Sequence, residues 1–398
     1  MTPHASARVT LSRRDFLCLG AGLSLTLLGG AAAFADPAQA ERKLVVIVCR
    51  GAMDGLSVSP PIGDAEYAAL RGGIAIPAEE ALPLDGYFGL HPKLSAIHAL
   101  ARAGQARIAP AVAIPQRIRS HFEAQDLLEN GGDRLHEAAT GWLNRTLAAL
   151  GGGRAVKALS VGPQAPLILS GPVPVASWSP GGRMDGGTAR LAAALQDLYS
   201  PYPALGAALA AGLATEAQAQ ALHGGGSGGP RGFAETAGRL LSAPEGPSIA
   251  VLSLTGFDTH AGQGASEGLL ATRLGVLDQT VAGLQDGLGE AWGRTVVIAA
   301  TEFGRTARVN GTGGTDHGTA STLMLAGGAL KPGGLIGDWP TLAPGKLFEG
   351  RDLAPTLDIR SVFKGVLASH LGVERPALDS AVFPDSREVL PVADLVRA

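Results

Sequence analysis

Lys43-Leu-Val-Val-Ile-Val-Cys49 is an unbroken apolar run, closed by Arg50-Gly51. A strand with one wet face alternates polar and apolar residues. This one has no polar alternation, so it predicts a central parallel strand covered on both faces. Further strands are expected at 107–114, 158–161, 167–169, 248–254, 295–301 and 322–326. Between them the apolar spacing turns helical. Residues 91–103 read as a helix with Pro92 in its first turn and Gly104 at its end. Ser120-His121-Phe122-Glu123 has the capping-box form and opens a helix that stops at Asn130-Gly131-Gly132. Helices are also expected at 141–150, at 188–243 with a break in the glycine run 223–230, at 266–292 and at 358–371. Strands alternating with helices predict an α/β fold, a mostly parallel sheet with helices on both faces.

The composition supports a large core: of 398 residues, 46% are hydrophobic and only 17% charged. Residues 41–398 read as one domain, with 151–245 the best candidate for a cap or insertion. The 57 glycines imply many tight turns. A net charge of −3 gives no reason to expect nucleic acid or an anionic membrane as partner.

Residues 1–40 read as an export signal. Ser12-Arg13-Arg14-Asp15-Phe16-Leu17 is a twin-arginine pattern, and the apolar stretch 17–30 is short for a membrane span. Ala33-Phe34-Ala35 and Ala38-Gln39-Ala40 both fit a cleavage site, near 35 or 40. The expectation is export in folded form through the twin-arginine translocase to the periplasm or beyond, with no stable span in the mature chain. Cleavage leaves Cys49 as the one cysteine, so no internal disulfide can form, and its place at a strand end predicts an inert buried thiol.

Candidate chemistry gathers at strand ends, where open α/β sheets place their sites. The strand 248–254 leads to Gly256-Phe257-Asp258-Thr259-His260. In extended backbone Asp258 and His260 share a face and can reach one metal; the alternative is a solvated turn. The strand 295–301 leads to Glu302, whose carboxylate needs a metal or a partner such as Arg305 if buried. Asp316 and His317 are adjacent within Gly311, Gly313, Gly314 and Gly318. They point to opposite faces, so one can ligate while the other orients, unless the glycine loop turns both inward. Asp54 ends the first strand in a glycine turn. Ser120 is either a helix cap or a nucleophile at a helix N-terminus. His121 is a ligand, a proton donor or a surface residue, and Arg117 and Arg119 either grip an anionic ester or form a solvated basic face. Carboxylate and imidazole together suit zinc, manganese or iron.

These motifs occur in one order. Arg50-Gly-Ala-Met-Asp54-Gly55, Gly89-Leu-His91-Pro92, Arg119-Ser120-His121-Phe-Glu-Ala-Gln-Asp126, Gly256-Phe-Asp258-Thr-His260, Thr301-Glu302-Phe-Gly-Arg305 and Gly313-Gly-Thr-Asp316-His317-Gly318 resemble the exported bacterial family called domain of unknown function 1501, over about residues 43–372. That family looks related to the alkaline phosphatase and sulfatase superfamily. The resemblance implies an alkaline-phosphatase-like fold, with one or two divalent metal ions held by Asp54, Asp258, His260, Asp316 and His317. It puts Ser120 in the nucleophile position. Such relatives commonly place Asp-His straight after the strand that here ends in Glu302-Phe303, so either Glu302 replaces that Asp or the ligand register differs. A Cys/Ser-x-Pro-x-Arg motif is absent, which disfavours formylglycine sulfatase chemistry.

The reading that follows is a metal-dependent hydrolase of a small phosphate or related anionic ester. Arg119 or Arg305 would stabilise the transferred group. The alternative is a non-catalytic, metal-stabilised binding or assembly protein of the envelope on the same fold. No C-x-x-C, haem motif or glycine fingerprint after a strand supports a redox role.

Overall fold

The computed structural model describes residues 33–34, 41–151, 154–155, 158–162, 165–179, 186–199, 201–222, 228–244 and 246–397. The twin-arginine motif and most of the glycine run 223–230 lie outside the described residues.

Eight strands form the main sheet: β1 (Lys43–Cys49), β2 (Ala106–Ala113), β3 (Ala158–Val161), β4 (Val175–Trp178), β5 (Ile249–Leu254), β6 (Thr295–Ala300), β7 (Ser321–Ala326) and β8 (Leu357–Asp358). Their spatial order is β8-β2-β7-β6-β1-β5-β3-β4. All neighbours pair in parallel except β7, which runs antiparallel to β6 and β2. The expected segment 167–169 is a single 3-10 turn after Pro166 instead of a strand. The segment 151–245 adds β3 and β4 to one edge of the sheet, followed by helices Gly186–Tyr199, Pro203–Leu222 and Gly229–Ser242.

The all-apolar run of β1 has the predicted consequence. Leu44, Val46 and Val48 enter one core, with Leu127, Trp142 and Phe363. Val45, Ile47 and Cys49 enter the other, with Leu274, Leu277 and Val281. Side chains two apart share a face, so a strand apolar at every position is buried on both. The Cys49 thiol is wholly buried, and that burial pushes its pKa far up, which makes it inert.

The helix that carries the site is fixed from behind. It runs His121–Asn130 and ends on Gly131 with φ 72°, a left-handed cap. Trp142 Nε1 donates to the Leu128 carbonyl at 3.1 Å, and the Trp142 ring stacks on Phe363 at 4.8 Å. No helix of the described residues is long and apolar enough to cross a membrane.

His370, on the helix Ile359–Leu371, donates from Nε2 to the Lys43 carbonyl at 2.9 Å. Its Nδ1 is buried with no partner. Protonation there would leave a buried, unsatisfied charge, and burial lowers the pKa from 6.5 to about 4. The unfolded chain takes up this proton first as pH falls. Stability is therefore whole above pH 6.5 and declines as pH drops from 6.5 to about 4. The term amounts to about 3 kcal/mol at 1.36 kcal/mol per unit. Urea unfolding across that window is expected to show a drop in His370→Gln smaller by about that amount. Equal slopes in the two proteins would contradict it.

Candidate metal centre

The loops after β1, β5 and β6 meet on one side of the sheet, because the three strands are parallel. After β5 the chain turns at Gly256, with φ 94°, and then runs through Asp258 and His260. Phe257 and Thr259 are buried while Asp258 and His260 face outward together, the alternation expected of the pair. After β6, residues 301–320 fold back without a helix. Gly314 lies against the backbone of Thr259-His260, where an added Cβ would sit 2.4 Å from the His260 carbonyl. Gly318 lies against Arg305 in the same way, at 2.4 Å from its carbonyl carbon. The glycines thus serve close backbone approach, which brings His317 over Asp258.

Four donor groups converge. Asp258 Oδ1 lies 3.1 Å from His260 Nε2 and 3.3 Å from His317 Nε2. Asp258 Oδ2 lies 3.4 Å from His121 Nε2, and the Nε2 atoms of His260 and His317 are 3.0 Å apart. Bonds of 2.0–2.1 Å to a tetrahedral ion place donor atoms about 3.3 Å apart, so these separations match such a shell. Ligand atoms of His121, Asp258 and His317 all lie within 4.8 Å of one another.

The opposite nitrogen of each ring is engaged. His121 Nδ1 meets Glu302 Oε1 at 2.8 Å, and His317 Nδ1 meets the Arg119 carbonyl at 2.8 Å. His260 Nδ1 faces Asp316 Oδ1 at 3.5 Å. With Nδ1 as donor, each Nε2 presents a lone pair to the centre. His121 Nε2 is buried and has no hydrogen-bond partner, which an ion at this position would supply. His121, Asp258 and His317, with His260 beside the last two, are therefore a donor set that fits a divalent ion of the zinc type.

The electrostatics keep the acids ionised. Burial pushes the Asp258 carboxyl upward, but Arg305, His260 and His121 outweigh it and hold it below the usual carboxylate range. Burial likewise opposes ionisation of Glu302. Its hydrogen bonds from His121, Gln125 Nε2 (3.0 Å) and Gly51 N (2.9 Å) prevail, and its pKa is lowered. The Glu302 bond raises His121, while burial lowers His317.

Several expected roles change. Glu302 is fully buried behind His121 and orients it rather than joining the donor group. Asp316 stands behind His260 and is held by Asn310 Nδ2 at 3.0 Å. Asp54 is not brought to the centre. It caps the helix Gly55–Val58 and bonds Arg71, Gln263 Nε2 (2.7 Å) and Ser57 Oγ (3.0 Å). Arg305, expected to stabilise a transferred group, is buried and binds Asp258 and four backbone carbonyls. Arg119 is held by Asp352 Oδ2 at 2.7 and 3.0 Å and by Glu349 at 2.6 Å. Ser120 occupies the N-cap position, yet its side chain makes no capping bond, so the capping box does not form. Asp352, Asn310 and Gln125 were not singled out from sequence. None sits at a strand end, and Gln125 alone falls within a motif of the chain.

An α/β sheet with a histidine-rich candidate metal centre at its strand ends is the class that fold and site define. The chain belongs to the family described as protein of unknown function (DUF1501), whose sequence profile matches residues 41–382. No curated protein matches it. Among solved structures it is similar to the C-terminal periplasmic domain of EcEptC from Escherichia coli, with 10% identity, 90% of this chain and 91% of that one covered, and a TM-score of 0.43. A structure of that domain in complex with Zn also matches, with 10% identity, 76% and 77% covered, and a TM-score of 0.38. The lipooligosaccharide phosphoethanolamine transferase EptA of Neisseria meningitidis shares 12% identity, with 79% of this chain but 55% of that one covered and a TM-score of 0.39. A phosphonate monoester hydrolase of Agrobacterium radiobacter shares 12%, with 84% and 74% covered and a TM-score of 0.37. Likeness at this level assigns no activity.

Two substitutions separate the roles. Glu302→Gln is expected to weaken zinc binding about 10–100-fold in a chelator competition while the far-UV spectrum stays unchanged. Asp54→Asn should keep the bound zinc but lower stability by about 3 kcal/mol, because it breaks a buried ion pair. Loss of zinc in Asp54→Asn at intact fold would return Asp54 to the ligand set.

Proposed function

We propose that this protein is an exported, metal-dependent hydrolase of phosphate or related anionic esters. The observation that carries the reading is the convergence of His121, His260, His317 and Asp258, each histidine backed by its own partner. A divalent ion there would act as Lewis acid, polarising the ester and lowering the pKa of a nearby hydroxyl.

The chain's own residues prepare the attack. Ser120 stands between Arg119, pinned by Asp352, and His121, pinned by Glu302. Both neighbours are fixed, so the serine backbone is fixed without its hydroxyl being used. That hydroxyl lies at the N-terminus of a ten-residue helix, where free N–H groups and the helix dipole favour an anion. Phe303 stacks on the His121 ring at 5.0 Å and limits its rotation.

A second reading is favoured by one observation. Arg119 and Arg305 are both committed to carboxylates, so neither guanidinium is free for an anionic group. On that reading the protein is a metal-stabilised binding or assembly protein of the envelope.

Ser120→Ala distinguishes the two. The variant should retain its metal and its thermal midpoint, because the hydroxyl caps nothing. Turnover of phosphate mono- and diesters should fall at least about 10³-fold. Turnover within twofold of the wild type would exclude the serine as nucleophile. No turnover by the metal-loaded wild type on any ester would favour the binding protein.

A further inference from the structure

Phe122, Gln125, Asp126 and Glu129 follow the spacing of one helix face, and all line a cleft of about 670 Å³. The opposite wall comes from the carboxyl ends of β3 and β5 and from residues 165–167. Val161, Pro166 and Leu167 supply apolar surface, and Ser253 and Thr255 supply hydroxyls. That size is within the range of sites that bury a small organic ligand. The donors of the metal centre do not line the cleft, but two of its wall residues sit next to that centre. Phe122 follows His121 directly, and Gln125 donates to Glu302 at 3.0 Å.

Charge and exposure restrict what the cleft can take. Arg50 is bound by Glu129 at 2.5 Å and by Gln125 at 2.7 Å, so its cation is spent within the wall. Asp126 Oδ2 accepts from Asn130 Nδ2 at 3.0 Å and from the His136 backbone at 2.9 Å, both neutral donors. The exposed His136 ring stands 3.6 Å away. Asp126 is thus the carboxylate left without a fixed cation, and it disfavours a second anion. His136 sits at φ 57°, an uncommon conformation for a side-chain-bearing residue, and its N–H bond to Asp126 holds it there. Phe122 is 90% exposed, an aromatic face with no protein neighbour to cover it.

Resting on the hydrolase reading, we propose that this cleft holds the released half of the ester. That half is a hydroxyl-bearing ring of carbohydrate type that carries no negative charge. The Phe122 face stacks on the apolar C–H face of such a ring, and Asp126, Ser253 and Thr255 accept or donate to its hydroxyls. A purely hydrocarbon group would cover the Asp126 carboxylate, whose two donors both go to Oδ2, without offering one to Oδ1. A small amine would leave most of the volume unfilled.

Ligand-observed NMR on the metal-loaded protein tests this with methyl β-glucoside, glucosamine and glucuronate, which share a ring and differ in charge. The neutral glucoside is expected to bind, roughly tenfold more weakly in Phe122→Ala and also more weakly in Asp126→Asn. Glucuronate is expected not to bind. Phe122 is exposed, so its removal leaves folding intact. Absence of glucoside binding, equal binding by Phe122→Ala, or binding of glucuronate as strong as that of the glucoside would overturn the proposal. The assay needs no turnover. Glucoside binding without hydrolysis of glucose phosphates would sink the hydrolase reading and keep the cleft; hydrolysis without glucoside binding would do the reverse.

Discussion

The site depends on one buried guanidinium. Arg305 is 1% exposed, and removing its charge from water carries a desolvation cost of several kcal/mol. It recovers that cost through the carbonyls of Gly51, Ala52, Phe257 and Thr315 and through the Asp258 carboxylate. These acceptors belong to three separate loops, after β1, after β5 and in the 301–320 return. A planar cation with five donors can join them at fixed angles, which a lysine cannot do. The same contact keeps Asp258 ionised between three imidazoles. The guanidinium therefore assembles the site and sets its charge.

A second layer aims the donors at the centre. Glu302 costs free energy to bury, and four donors offset this: His121, Gln125, the Gly51 amide and the Thr301 hydroxyl. Asp352 does the same for Arg119, with Thr319 Oγ1 at 2.8 Å and Arg351 Nε at 2.8 Å as further partners. Arg119 in turn presents the carbonyl that orients His317. Each histidine is thus held from the side away from the centre. That leaves the Nε2 atoms of His260 and His317 3.0 Å apart beside Asp258, and His121 Nε2 buried with no hydrogen-bond partner.

Much of the fold was legible because burial on two faces writes itself into a strand. β1, β5 and β6 are apolar at nearly every position and were read within a residue or two. β4, four residues long and partly polar, and the two-residue β8 carry no such signal. The direction of β7 was not legible from its own residues. It follows from the 301–320 return, which lacks the helix that a parallel crossover needs. In the site, the two-residue spacing, the strand end and the glycine frame pointed to Asp258 and His260, and both side chains do face outward together. Asp54 misled because its partner, Arg71, arrives from a helix that no local pattern connects to it. His121 stayed ambiguous, since its role is set by Glu302, 181 residues away in the chain. Asp352 gives no signal in sequence, because its role is to hold the side chain of Arg119, 233 residues away in the chain.

Metal content of the natively purified protein, measured by elemental analysis without added ions, tests the account most directly. The three-histidine, one-carboxylate arrangement predicts about one equivalent of a divalent ion of the zinc type. It also predicts that His317→Ala abolishes the bound metal. A metal-free protein whose thermal midpoint does not rise with zinc, manganese or iron would contradict it, and would make these histidines and carboxylates a structural polar cluster.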